Sequence, residues 1–192
     1  MRERFDTLAP MPTVFVTPAS SPDDLATARS LFEEYAAFIG FSLCFQGFDA
    51  ELATLPGRYA PPSGRLLLAR VDGQVAGCVA LRQIGDGICE MKRLFVRPAF
   101  HGTGCGRALA TAIVDEARAA GYRAMRLDTV PQMHAAIALY ESLGFRDIDP
   151  YTENPIEGAR YLELRIDPQP GGVIQSRSMS APDWRASRYP KG

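Results

Sequence analysis

The stretch Arg93-Leu94-Phe95-Val96-Arg97-Pro98-Ala99-Phe100-His101-Gly102-Thr103-Gly104-Cys105-Gly106-Arg107-Ala108-Leu109 decides how the chain is read. An apolar strand runs into a proline, then into glycines at 102, 104 and 106, then into the first turn of an amphipathic helix. Glycine lets a backbone turn tightly and bring its N–H groups against a ligand. The helix that follows offers amides without intrahelical partners at the positive end of its dipole. The combination predicts an anion site suited to a phosphate or pyrophosphate. Two familiar phosphate loops fail to fit. A Walker loop ends in Gly-Lys-Ser/Thr, whereas this one ends in Gly106-Arg107-Ala108, without the hydroxyl that holds magnesium. A dinucleotide fold calls for Gly-x-Gly-x-x-Gly directly after a strand, and here the glycines fall at every second position.

The pattern that remains is Val96-Arg97-Pro98 followed by His101-Gly102-Thr103-Gly104-Cys105-Gly106. It resembles the acetyl-coenzyme A loop of the GCN5-related N-acetyltransferase (GNAT) superfamily, Arg/Gln-x-x-Gly-x-Gly/Ala after a Val-x-Pro. A second motif, Ala136-Ile137-Ala138-Leu139-Tyr140-Glu141-Ser142-Leu143-Gly144-Phe145, matches that family's Ala-x-x-x-Tyr-x-x-x-Gly-Phe at family spacing. The resemblance covers roughly residues 66 to 166, and the first sixty-five residues match in general arrangement only.

The resemblance implies acetyl-CoA as co-substrate and direct acetyl transfer to an amine in a ternary complex. The pyrophosphate would rest on the backbone from Gly102 to Arg107, including Thr103, Gly104, Cys105 and Gly106. The pantetheine arm would run along Leu94, Phe95 and Val96. Tyr140 is the candidate general acid, since a phenol can protonate a departing thiolate of similar basicity. A core aromatic on the helix face is the other reading of that residue. Glu90 is the candidate base, at the position where histone acetyltransferases of the superfamily carry a glutamate; pairing with Lys92 or Arg82 is the alternative. Two positions depart from the family pattern. His101 replaces the usual Arg or Gln, although an imidazole can still donate to a phosphate. Met133 replaces an Asn and has no hydrogen to donate. A non-catalytic acyl-CoA-binding or regulatory domain is the competing functional class, and release of coenzyme A in the presence of amines separates the two.

The remaining pattern predicts an α/β (α+β) fold with a mixed, mostly antiparallel central sheet flanked by helices on both faces. Thr13 to Thr17 reads as a β-branched strand, and Ser20 or Ser21 caps a helix with an apolar stripe at Leu25, Ala28, Leu31, Phe32, Tyr35 and Phe38 that ends near Gly40. Residues 41–64 mix aromatics with glycine and proline, and a short helix is expected around Asp49 to Leu55. In the superfamily this region shapes the acceptor pocket, which nominates Phe41, Phe45 and Tyr59; closing over the core is the equally weighted alternative. Strands follow at 66–71, 75–82 and 88–96, with Asp72-Gly73-Gln74 as a hairpin turn. A helix to about Ala120, a strand at 124–130, a helix over 133–143 and strands at 145–148 and 160–166 complete the order.

With 192 residues, 46% apolar and 22% charged, the chain suits one globular domain, placed at 13–166. Residues 1–12 and 167–192 are expected to be flexible, the latter holding four prolines and three glycines with no apolar period. Lys and Arg total 21 against 22 acids, so no net field argues for nucleic acid or an anionic membrane as partner. No apolar run has the length of a signal or spanning segment, and the cytoplasm is the expected compartment. Four cysteines without a Cys-x-x-Cys pair, and two histidines, give no metal-ligand spacing. Cys105 invites a reactive-thiolate reading because helix N-termini lower thiol pKa, but a packing role is favoured. The acceptor is expected to be a small-molecule or peptide amine, and a homodimer is left open.

Overall fold

The structure, a computed structural model, describes residues 12–40 and 47–166. The tail at 167–192, all but the last residue of the 1–12 segment, and Phe41, Cys44 and Phe45 lie outside those residues. In chain order the elements are β1 (Val14–Pro18), α1 (Pro22–Ile39), α2 (Phe48–Ala53), β2 (Arg65–Val71), β3 (Gln74–Gly85), β4 (Ile88–Val96), α3 (Cys105–Ala119), β5 (Ala124–Thr129), α4 (His134–Ser142), β6 (Arg146–Asp147) and β7 (Arg160–Arg165). This is the expected order. The strands form one sheet ordered β1-β2-β3-β4-β5-β7-β6, antiparallel throughout except for the β4–β5 pair.

Local chemistry explains the boundaries. Ser21 accepts a hydrogen bond from the Asp24 amide while the Asp24 carboxylate accepts from the Ser21 amide, which closes a capping box at the start of α1. Gly40 in the left-handed region ends the helix. The strand expected at 145–148 shortens to Arg146–Asp147, and the chain then crosses a long loop to β7.

Because helices cover both faces, the central strands are apolar on both sides. Leu66 and Leu68 of β2 point to one core with Ala28, Leu31 and Phe32 of α1, while Leu67 and Ala69 point to a second core with Leu109, Ile113 and Ala117 of α3. Tyr140 and Phe145 belong to the α3 side. Tyr59, expected in the wall of the acceptor pocket, is corrected by the structure. It is buried against Phe32 in the α1 core, rings edge-on with centroids 6.0 Å apart, and its hydroxyl donates to Glu51 Oε1 at 2.7 Å. The ring fills a gap beneath α1, which is the alternative that the sequence left open.

Candidate active site

β4 and β5 are paired only at Ile88–Ala124, Cys89–Met125 and Glu90–Arg126. Beyond Glu90 the two parallel strands part, and residues 91–96 keep a backbone edge without a strand partner on the β5 side. The cause lies in the β3–β4 ladder. Cys78 opposes Phe95 and Ala80 opposes Lys92, so β4 carries an extra residue between these pairs, and Arg93 sits there with φ of +57°. Such a bulge bends its strand and changes its twist. A left-handed arginine is uncommon and costly, and persists where its surroundings hold it. Arg93 is held. Its guanidinium binds Glu51 of α2 through Nε to Oε1 at 2.9 Å and Nη2 to Oε2 at 2.5 Å, and lies 5.8 Å from the Tyr35 ring and 5.2 Å from the Phe48 ring. Burial raises the Glu51 pKa, but the hydrogen bonds and charge of Arg93 outweigh it and hold the carboxyl below the usual range.

After β4, Arg97, Pro98 and a short helical turn lead into the glycine loop. Gly102 and Gly104 have φ of +81° and +84°, and a Cβ at either would meet nothing within 4 Å, so the loop faces open space. Gly104 is the N-cap of α3 and has no side chain to cap it. The first amides of the helix, from Cys105 to Arg107, therefore have neither an intrahelical carbonyl nor a side-chain oxygen at the cap. Gly106 brings α3 within van der Waals range of Val96 and Leu139. Cys105 is buried, and burial pushes its thiol up to about 11, the behaviour of a packing residue. The Arg107 guanidinium donates to the Ser142 hydroxyl at 2.9 Å.

His101 does something the sequence did not show. Its Nε2 lies 2.9 Å from the Val96 carbonyl, and since a carbonyl only accepts, that nitrogen carries the hydrogen. The Arg97 amide bonds to Ala76 on β3, so the Val96 carbonyl of the same peptide group points the other way, toward the open edge. The ring thus covers a backbone acceptor of the cleft. Phe38, exposed at the end of α1, packs against both Phe95 and His101.

The cleft between the parted strands is lined by Tyr35, residues 91–94 and 127–130, Met133, Tyr140 and Asn154. Strand alternation gives it two unlike walls. On the α3 side stand Met91, Leu127 and Tyr140, with Thr129 on the same face of β5 as Leu127 and with Tyr140 buried beside Phe145 at a centroid distance of 5.8 Å. Burial lifts the Tyr140 phenol above its ordinary range, and the nearby Tyr35 and Asp128 add to the effect, so the phenol keeps its proton at neutral pH. On the other side runs a charged chain. Arg82 Nε donates to Glu90 Oε2 at 2.6 Å, the Tyr151 hydroxyl to Glu90 Oε1 at 2.8 Å, Lys92 Nζ to Asp128 Oδ1 at 3.0 Å and Asn154 Nδ2 to Asp128 Oδ2 at 2.9 Å. Lys92 also stands 3.8 Å from Glu90. Burial raises the Asp128 pKa, yet the charge and hydrogen bond of Lys92, with Asn154, bring it below the usual range.

The sequence profile of the Acetyltransferase (GNAT) family matches residues 28–145. The chain belongs to that family. An uncharacterized N-acetyltransferase of Schizosaccharomyces pombe is 39% identical over 155 residues, which cover 80% of this chain and 95% of the relative. An uncharacterized N-acetyltransferase of Dictyostelium discoideum is 30% identical, covering 72% and 93%. Among solved structures, YncA of Salmonella typhimurium with its cofactor acetyl-CoA superposes with a TM-score of 0.61 at 24% identity, covering 80% of this chain and 94% of that one. At that identity the likeness speaks for the fold, which is the GNAT fold.

Within this GNAT domain Leu94, Met133 and Tyr140 line the cleft, while Val96 lies beyond it beside Gly106, where the glycine loop enters α3. Phe95 points away, into the α1 core beside Tyr35. Glu90 meets the partners of its alternative reading, with both carboxylate oxygens engaged and 1% of the residue exposed. Sequence reasoning missed Tyr35, Asp128, Thr129, Tyr151 and Asn154. Asp128 and Thr129 had a readable signal, since they close β5, the strand that lies beside β4. Among the described residues no group of three or more His, Cys, Asp and Glu side chains is placed to hold a metal, and no helix is long and apolar enough to cross a membrane.

Proposed function

We propose that the chain is an acetyl-CoA dependent N-acetyltransferase that moves an acetyl group to a primary amine of a small molecule or peptide, both substrates being bound together. The observation that carries this reading is the open edge of β4, which starts beside a buried, protonated Tyr140 and ends at an uncapped helix N-terminus behind a glycine loop. These features fit acetyl-CoA. The amides of the loop from Gly102 to Arg107 would take the pyrophosphate, and the backbone of Leu94 and Val96 would take the pantetheine arm as a strand takes its neighbour.

Acetyl-CoA supplies an acetyl group activated as a thioester. The protein's part is to fix the two substrates and to manage two protons. The acceptor amine must arrive uncharged; its nitrogen then bonds to the acetyl carbon as the carbon–sulfur bond breaks. Tyr140 gives the proton on its Oη to the departing sulfur, and the proton that the acylated nitrogen then sheds returns through water to the phenolate oxygen. Glu90, with both oxygens held by Arg82 and Tyr151, is better placed to anchor Lys92 than to accept a proton directly, so water carries the ammonium proton away. The charged wall with Lys92, Asp128 and Asn154 faces the acceptor. Phe41 and Phe45, outside the described residues, belong to the same proposal as further parts of its pocket.

Coenzyme A release measured with a thiol reagent across a panel of amines tests the reading. Amine-dependent release supports it. Binding of acetyl-CoA without release for any amine points to the non-catalytic alternative. The protein is expected to act without a metal, so chelator should leave release unchanged.

A further inference from the structure

Among the described residues, Thr129 Oγ1 is the buried side-chain polar atom that lacks a hydrogen-bond partner. Thr129 ends β5 and is 5% exposed. An unmade hydrogen bond in a buried position costs stability, and a valine of similar shape would not carry that cost. A hydroxyl kept there is accounted for when its partner arrives from outside the chain.

The position of Thr129 says what that partner is. Its own strand pairs with β7, Thr129 opposite Arg160, whereas the edge toward β4 has opened. Met125, Leu127 and Thr129 share one face of β5, and Met125 and Leu127 pack in the core that holds Tyr140. Thr129 lines the cleft together with Leu94, Met133 and Tyr140, on the wall opposite the charged chain of Lys92 and Asp128. That wall is otherwise apolar but for the Tyr140 phenol. Met133, at the N-cap of α4, offers no side-chain hydrogen bond.

We infer that the Thr129 hydroxyl is a binding group for the acyl-pantetheine arm, donating its hydrogen to a carbonyl oxygen of the arm where it passes between β4 and Tyr140. It supplies the polar contact that Met133 cannot make. The inference rests on the reading of the cleft as an acyl-CoA site, and takes from it only that the arm enters between the parted strands.

The test is Thr129→Val on the full chain, with Thr129→Ser beside it, read by thermal unfolding and by titration with coenzyme A and with adenosine 3′,5′-bisphosphate, which lacks the arm. Thr129→Val is expected to melt at or above the wild-type temperature without ligand. It should bind coenzyme A about five- to tenfold more weakly, the size of one net hydrogen bond, while affinity for the bisphosphate stays unchanged. Thr129→Ser should retain wild-type affinity for both. Unchanged coenzyme A affinity in Thr129→Val would overturn the inference. So would an equal loss for the bisphosphate, or a melting temperature several degrees below wild type, which would give the hydroxyl a structural partner. If wild-type protein binds neither coenzyme A nor acetyl-CoA, the functional reading fails as well and the two failures are told apart.

Discussion

Arg93 and Glu51 form a two-pronged ion pair across the bulge of β4, with 2% of the Arg93 side chain and 14% of the Glu51 side chain exposed. Through this contact α2, whose six residues contribute nothing fully buried, fixes the point at which the central sheet splits. The pair therefore connects the pairing register of the sheet to the width of the cleft.

Glu51→Gln keeps the shape and removes the charge. Breaking a buried pair costs about 3 to 5 kcal/mol because the remaining ion stays buried, and the lower end is expected here since Gln retains one hydrogen bond. The carboxyl is held below its ordinary value of 4.5, so its contribution is complete above that value and lost as pH falls through the lower folded one. Urea unfolding at several pH values should show Glu51→Gln less stable at neutral pH, with the difference closing toward acid. A gap that stays constant down to pH 3 would mean that the pair is not the source. Asp128 is shifted in the same direction, so the variant keeps part of the wild-type acid sensitivity.

Gly104→Val addresses the loop. At φ of +84° a β-branched residue is strained by about 1 to 2 kcal/mol, and its side chain would project into the open space over the loop, where no protein atom lies within 4 Å of a Cβ. A modest drop in melting temperature is expected, together with complete loss of the stabilisation that acetyl-CoA gives wild type, which is about 2.7 kcal/mol at a hundredfold excess over Kd. ATP and NAD should stabilise neither protein. Persistence of the acetyl-CoA shift in the variant would move the phosphate site elsewhere.

The glycine loop was legible because its φ demands leave a trace in residue type, and the proline and the strand before it set its direction. The helix caps were legible for the same reason, as Ser21, Asp24 and Gly40 show. The charged wall was not. Its members come from β3, β4, β5 and the loop after β6, and they meet only because β5 lies beside β4 with Glu90 level with Arg126. Tyr35 looked like one more residue of the α1 stripe, and only the turn of Arg93 brings the cleft beneath it. Tyr59 failed in the opposite way. An aromatic in a loop rich in glycine and proline can turn inward when a carboxylate such as Glu51 waits to accept its hydroxyl.

His101 stands where the family pattern has Arg or Gln, and it is bonded within the chain. The ring is spent on the Val96 carbonyl, an acceptor that the pantetheine arm would use. His101→Ala should therefore bind acetyl-CoA about two- to fivefold more tightly, since one net hydrogen bond is no longer lost on binding. Isothermal titration decides the matter. A tenfold weaker complex would show that the imidazole swings to the phosphates instead.

Tyr140 carries the mechanistic reading. Phe keeps the ring against Phe145 and removes only the hydroxyl, so Tyr140→Phe separates proton donation from packing. Burial keeps the phenol protonated across the neutral range, so on the proposed reading it holds a proton to give to the departing sulfur. Removing a general acid typically lowers the rate by roughly 10²- to 10⁴-fold, equivalent to about 3 to 5 kcal/mol of barrier. Acetyl-CoA affinity and melting temperature should change little. Slow product release would hide part of the loss in kcat, so the measurement is single-turnover transfer to a saturating amine. If Tyr140→Phe transfers at near the wild-type rate while Tyr140→Ala unfolds, the ring is a core residue and water protonates the sulfur.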